Sequence, residues 1–165
     1  MKTMIAKASV WMLIAFAGIL PARAQSDKET ATKQMVESQR YIFIPQSAMP
    51  LSGRVRPLTS DYSLKITKDS VDSYLPYFGR AYQAPINTTD GGIQFVSTSF
   101  DYTAVPRKKS GWDISIKPKD ARDVQQMQLS VSETGYASLQ VISTNRQAIS
   151  FNGYIVEVKE KKKKK

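Results

Sequence analysis

In several stretches from Tyr62 onward the apolar residues recur at every second position. Tyr62, Leu64 and Ile66 alternate with Ser63, Lys65 and Thr67; Trp112, Ile114 and Ile116 alternate with Asp113, Ser115 and Lys117. Met127, Leu129 and Val131 alternate with Gln128, Ser130 and Ser132. A period of two puts the apolar set on one face of a strand and the polar set on the other, the pattern of an antiparallel sheet with one wet face. The β-branched and aromatic stretches Tyr41–Ile44, Ile93–Val105, Ala137–Ser143 and Ala148–Val158 read as further strands. No strand–helix–strand alternation follows residue 40, so a parallel α/β architecture is not expected.

Two of these stretches change phase. Ile93 and Phe95 share one parity and Phe100, Tyr102 and Ala104 the other, with Ser97-Thr98-Ser99 between them. Ile149 and Phe151 give way to Tyr154, Val156 and Val158 across Asn152-Gly153. A bulge at each place would bend the strand and keep its apolar side chains inward, as strongly curved sheets require. Residues 107–111, 133–135 and 144–146 suit hairpin turns. Ahead of the strands, Ser26-Asp27-Lys28-Glu29 has the form of a capping box and opens a short helix over 25–40, with a thin stripe of Ala31, Met35 and Val36. The expected fold is mainly β (α+β): one strongly curved antiparallel meander sheet or half-barrel over 41–158 behind that N-terminal helix. A β-sandwich is the second choice.

The first 24 residues read as an export signal. Lys2 and Lys7 precede an apolar stretch from Ala8 to Leu20, Pro21 ends it, and Ala22-Arg23-Ala24 offers the small-x-small pattern of a signal peptidase site, with Gln25 as the new N-terminus. The stretch is short for a ~30 Å hydrocarbon core. With no Cys the mature chain cannot be a lipid-modified lipoprotein. The expected location is the periplasm or cell envelope, in soluble form.

The net charge of +10 needs dividing. Three basic residues leave with the signal and six lie in the tail 159–165, which is expected to be disordered. The body, 25–158, keeps 15 basic against 13 acidic residues, a net of +2. Such a body lacks the basic surface of a nucleic-acid binder, so no nucleic acid is expected as a partner. The sequence also has no His. Triads, Cys–His pairs, disulfides and zinc sites with N or S ligands are therefore excluded, and no cofactor or metal is expected.

The candidate site is the segment 74–92, which has no clean period. It gathers Tyr74, Tyr77, Phe78 and Tyr82 around Arg80, punctuated by Pro76, Gly79 and Pro85. Such a connection is often functional, and aromatic faces beside a guanidinium can stack on a flat ligand. The same rings could instead plug one end of the sheet. Asp61, Asp69 and Asp72 match no calcium-loop spacing. Asn87-Thr88-Thr89 is a formal N-glycosylation triplet, which carries little weight in a bacterial-looking export context, and Gly91-Gly92 reads as a turn rather than a phosphate loop. Asp69-Ser70-Val71 resembles an O-glycosylation acceptor triplet of exported bacterial proteins, with Ser70 as acceptor in a surface turn.

Several strings together resemble domain-of-unknown-function family 4251, exported proteins of Gram-negative bacteria: Tyr41-Ile-Phe-Ile44, Pro50-Leu-Ser-Gly-Arg54, Leu58-Thr-Ser-Asp-Tyr62, Tyr74-Leu-Pro-Tyr-Phe-Gly-Arg-Ala-Tyr82, Gly91-Gly-Ile-Gln-Phe95, Gly135-Tyr-Ala-Ser-Leu139 and Asn145-Arg-Gln-Ala-Ile-Ser-Phe151. The resemblance covers nearly the whole mature chain. It implies export and a single domain, and it brings no activity or catalytic residues. Where a family member is a lipoprotein it carries a Cys for that purpose; this chain has none. The leading expectation is a non-enzymatic domain that binds an envelope ligand or partner through 74–92. The alternatives are a structural protein held weakly to an anionic surface by Lys161 to Lys165, and a hydrolase working with carboxylates alone.

Overall fold

The computed structural model describes residues 20–82 and 91–158. The residues before Leu20, which hold most of the expected export signal, the tail 159–165 and the Asn87-Thr88-Thr89 triplet lie outside the described residues. In chain order the elements are α1 (Leu20–Ser38), β1 (Tyr41–Pro50), β2 (Arg56–Pro57), β3 (Ser63–Ile66), β4 (Val71–Leu75) and β5 (Ile93–Ser97). Then come β6 (Phe100–Pro106), β7 (Trp112–Pro118), β8 (Val124–Val131), β9 (Tyr136–Ser143) and β10 (Ile149–Glu157). All pairings are antiparallel, in the order β5-β4-β3-β1-β10-β9-β8-β7-β6, with β2 added beside β1.

That order places β5 and β6 at opposite ends of the sheet although only Thr98 and Ser99 separate them in the chain. The three steps from Ser97 to Phe100 reach about 11 Å at full extension. The two ends must therefore come together, and the sheet curls into a nearly closed barrel. The corner is pinned by the two residues that follow β7: Lys119 N donates to Ser99 O at 2.8 Å and Thr98 N to the Asp120 carboxylate at 3.1 Å. Hydrogen bonds from the Ser97 hydroxyl and then from the Thr98 amide hold the Asp120 carboxyl below its ordinary range.

The curved antiparallel sheet is as expected, with two corrections inside it. The stretch 93–105 is not one bulged strand, because its phase change marks the corner where the chain passes from one sheet edge to the other. The stretch 148–158 does not change phase either. Ile149, Phe151, Gly153 and Ile155 all point inward and are buried, while Tyr154 and Val156 point outward. The irregularity sits in the partner strand, where Pro45 faces Gly153 and Ser47 faces Asn152, so Gln46 is the extra residue. A Cβ on Gly153 would run into the carbonyl oxygen of Ile44, which is why the inward row has a glycine there. The strand β4 also escaped the pattern, because its inward row is Val71, Ser73 and Leu75 and its tyrosine points out. Ser73 is tolerated inside because its hydroxyl donates to Ile93 O at 2.9 Å.

The helix also departs from expectation. It starts at Leu20 and not at residue 25, so Ser26 is an interior residue whose carbonyl accepts from the Thr30 hydroxyl at 3.0 Å. Pro21 falls in the first turn, where its missing N–H has no helical partner to lose. The buried face is Thr32 and Val36 with Met35 partly covered, while Ala31 is exposed. Positions 32, 35 and 36 follow the helical spacing that an expected stripe of 31, 35 and 36 misses by one residue. The helix ends in a Schellman motif: Arg40 N donates to Met35 O at 3.1 Å and Gln39 N to Val36 O at 3.2 Å, with Gln39 left-handed at φ 52. The turn throws the chain straight into β1, whose first residue Tyr41 is fully buried.

Gly153→Ala should destabilise the protein by about 1–3 kcal/mol, the usual cost of forcing a methyl into a filled space. Gly91→Ala, which meets nothing within 4 Å, should change little. Urea denaturation of both variants checks this.

Candidate binding site at the open end of the barrel

The two ends of the barrel are closed differently. At the end where β1 begins, α1 lies over the opening with Val36 in the core and Thr32 beside Gly135 of the β8–β9 turn. The edge strand β6 is tied to this helix through a chain of phenols. Tyr102 Oη donates to Val36 O at 3.4 Å and stands 3.2 Å from Tyr41 Oη. Since Tyr102 has a single hydroxyl proton, Tyr41 is the donor between the two. Burial pushes the Tyr41 phenol well above its ordinary value of 10.0, with Tyr102 adding to the shift, and burial raises Tyr102 as well.

Beyond this tie the ribbon of β6 and β7 runs past the helix and leaves a cavity of about 650 Å³. Val36, Tyr102, Ala104, Pro106 and Trp112 supply its apolar lining. Charges of both signs surround it: Lys33 and Glu37 from the helix, Arg107 and Lys109 from the ribbon tip, and Glu133. Lys33 and Glu37 pair at 3.8 Å. Arg107 Nε lies 2.7 Å from Asp113 Oδ1, which also accepts from the Ser130 hydroxyl at 2.8 Å. These two interactions, that of Ser130 first, hold the Asp113 carboxyl below its ordinary range. Lys109 has no ionic partner among the described residues. Gly111 turns the ribbon at φ 85, against the Val131 carbonyl. Nothing in the sequence drew these residues together, because they come from three separated stretches and Tyr102 and Trp112 read as core.

At the opposite end lie the described residues of the 74–92 segment. Tyr74 belongs to β4, points outward at 48% exposure and packs on Tyr62 with ring centroids 5.6 Å apart. Tyr77 packs against the core and donates to the carbonyls of Arg80 at 2.8 Å and Gln147 at 3.0 Å. Burial raises its pKa, against the lowering effect of the nearby Arg146 cation. Phe78 lies under the guanidinium of Arg56 at 4.9 Å. Arg80 and Tyr82 are exposed. The structure thus gives Tyr74, Tyr77 and Phe78 separate partners and leaves Tyr82 exposed, rather than gathering the rings about Arg80. The guanidinium at the centre belongs to Arg146, 5.3 Å from the Tyr77 ring, donating to Gly92 O at 2.9 Å and to Asp123 at 3.3 Å. Ser70 sits in the β3–β4 turn, half-buried, with its hydroxyl 2.9 Å from that of Thr67. Among the described residues no group of three His, Cys, Asp or Glu could hold a metal.

Arg146→Ala should destabilise by about 1–3 kcal/mol, because it strips partners from polar groups that are partly buried. Arg80→Ala should stay within about 0.5 kcal/mol of wild type. The phenols should govern the alkaline limb. A folded-state pKa raised above the unfolded value leaves their contribution intact below pH 10.0 and removes it as pH rises beyond. Tyr41→Phe should cost about 1 kcal/mol at neutral pH and make the alkaline decline shallower, as chemical denaturation between pH 7 and 11 can show.

A family model described as a domain of unknown function, DUF4251, matches residues 23–155. No curated protein matches the chain. Among solved structures, the crystal structure of a DUF4251 family protein from Bacteroides eggerthii DSM 20697 at 1.95 Å resolution superposes with a TM-score of 0.61 at 11% identity. The match covers 82% of this chain and 91% of that one, and at this identity it speaks for the fold alone. With a family model spanning most of its length and a fold shared with a solved member, the chain belongs to the DUF4251 family.

Proposed function

We propose that the protein is an exported binding domain of the cell envelope, without catalytic activity of its own, and that its ligand enters the cavity between α1 and the β6–β7 ribbon. The observation that carries this reading is the cavity itself: about 650 Å³ of space with a mixed lining, in which Val36, Ala104, Pro106 and Trp112 stand among charges of both signs. A concave site needs apolar surface to bury and a few polar groups to fix orientation, and this one offers both, with the polar share the larger. A short peptide suits it, with apolar side chains against Trp112 and Pro106 and its two charged ends near Lys109 and Glu133. Export is supported by Lys2, Lys7, the apolar stretch to Leu20 and the Ala22-Arg23-Ala24 pattern. A binding rather than a catalytic role is supported by a sequence without His or Cys and by Glu37 being engaged with Lys33. In this reading Tyr77 and Phe78 close the far end, and Ser70 is a proposed sugar acceptor that intact mass of the native protein would reveal.

Cleavage after Ala24 would leave Trp112 as the sole tryptophan, a built-in reporter of the cavity. Titration with pools of mixed-sequence hexapeptides should shift its emission saturably for at least one pool. Ala104→Phe, which fills the cavity from an exposed strand position, should weaken that binding at least tenfold with the melting temperature unchanged. No saturable response from any pool, or equal binding by the variant, contradicts the proposal. Cleavage of the bound peptide in the same assay would make the site hydrolytic.

A further inference from the structure

The outer face of the barrel is uneven in charge. On β8 the outward positions are Gln126, Gln128 and Ser130; on β9 they are Tyr136, Ser138, Gln140 and Ile142. On β10 they are Ser150, Asn152, Tyr154 and Val156. None of these eleven positions on three adjacent strands carries a charge. The chain is 23% charged, and at the about 25–35% typical of soluble surfaces three or so charges belong here.

The register aligns these side chains into rows. Gln128 faces Gln140, which faces Ser150; Ser130 faces Ser138, which faces Asn152; Tyr136 faces Tyr154. Strand spacing and rise make the grid about 10 Å across and about 13 Å along from Tyr136 to Gln140. Tyr136 is 68% exposed, and Gln128, Ser138 and Gln140 are exposed without a side-chain partner among the described residues. Gln126 and Ser130 are turned toward β7, bonded to Ser115 and Asp113. The free groups are thus amides and hydroxyls, each both donor and acceptor, beside two phenol rings.

We infer that this face binds an uncharged glycan chain. Sugar hydroxyls are likewise donors and acceptors at once, and the faces of sugar rings are apolar enough to lie on tyrosine. Charge complementarity selects the occupant: the eleven outward positions offer neither a cation to an anionic polymer nor a carboxylate to a basic one, and the carboxylates that border them, Glu157 at the end of β10 and Asp113 bonded to Ser130, disfavour an anionic polymer further, so a neutral polymer is the one the face suits. The face is separate from the cavity, and its failure would leave the peptide reading untouched.

The test is affinity electrophoresis of the purified protein through gels cast with dextran, galactomannan or mixed-linkage β-glucan, and with alginate as the anionic control. At least one neutral polymer should retard the protein and alginate should not. Tyr136→Ala and Gln140→Glu, both at exposed positions, should each weaken the interaction at least tenfold with unchanged melting temperatures. Absence of retardation in every neutral gel, equal retardation of both variants, or retardation by alginate alone overturns the inference. So does sedimentation showing a dimer that Gln140→Glu dissolves, which would assign the face to a second copy of the chain.

Discussion

Two residues, Thr98 and Ser99, join the strands at opposite ends of a ten-stranded sheet, and the geometry of the molecule descends from that link. A flat sheet would hold those ends several strand widths apart, far beyond the reach of three peptide units. The sheet has to curl. Curling gathers one face of every strand into a common interior, which is why rows such as Leu64, Ile66, Val71, Leu129, Leu139 and Phe151 end up in one core.

Closure by a corner differs from closure by hydrogen bonds. No ladder runs between β5 and β6, so the seam needs other material. At one end α1 supplies it, inserting Val36 and holding β6 through the Tyr102 and Tyr41 phenols. At the other end Tyr77 and the Arg146 network cover the β9–β10 turn. The helix covers only part of its end, and the uncovered concave side of the β6–β7 ribbon is the cavity. Fold and candidate site thus share one cause, an unpaired edge strand incompletely covered.

Much of the fold was legible because burial acts on every second residue of a strand. β3, β7 and β8 followed directly from that periodicity. The phase change at 97–99 was legible too, but its meaning was not: local sequence cannot distinguish a bend within one sheet region from a passage between two edges. At Gln46 the bulge lay in the strand opposite the one whose pattern shifted, since Gly153 is silent about which way it faces. The helix start was hidden because a capping-box pattern at Ser26 has no force when helical residues precede it. For the site, sequence proximity pointed to the aromatics of 74–82, whereas the cavity draws on residues from 33 to 133 and is a product of topology.

In this structure α1 is docked as a stopper against the β6–β7 ribbon, with a defined gap between them. The chain has no cysteine, so Glu37→Cys with Lys109→Cys takes two spin labels cleanly at exposed positions on either side of the cavity. Pulsed electron–electron distance measurement between them is the most direct test. One narrow distance distribution is expected, broadened when Tyr102→Phe and Val36→Ala loosen the dock. A broad or multi-peaked distribution in the otherwise unaltered protein would contradict it.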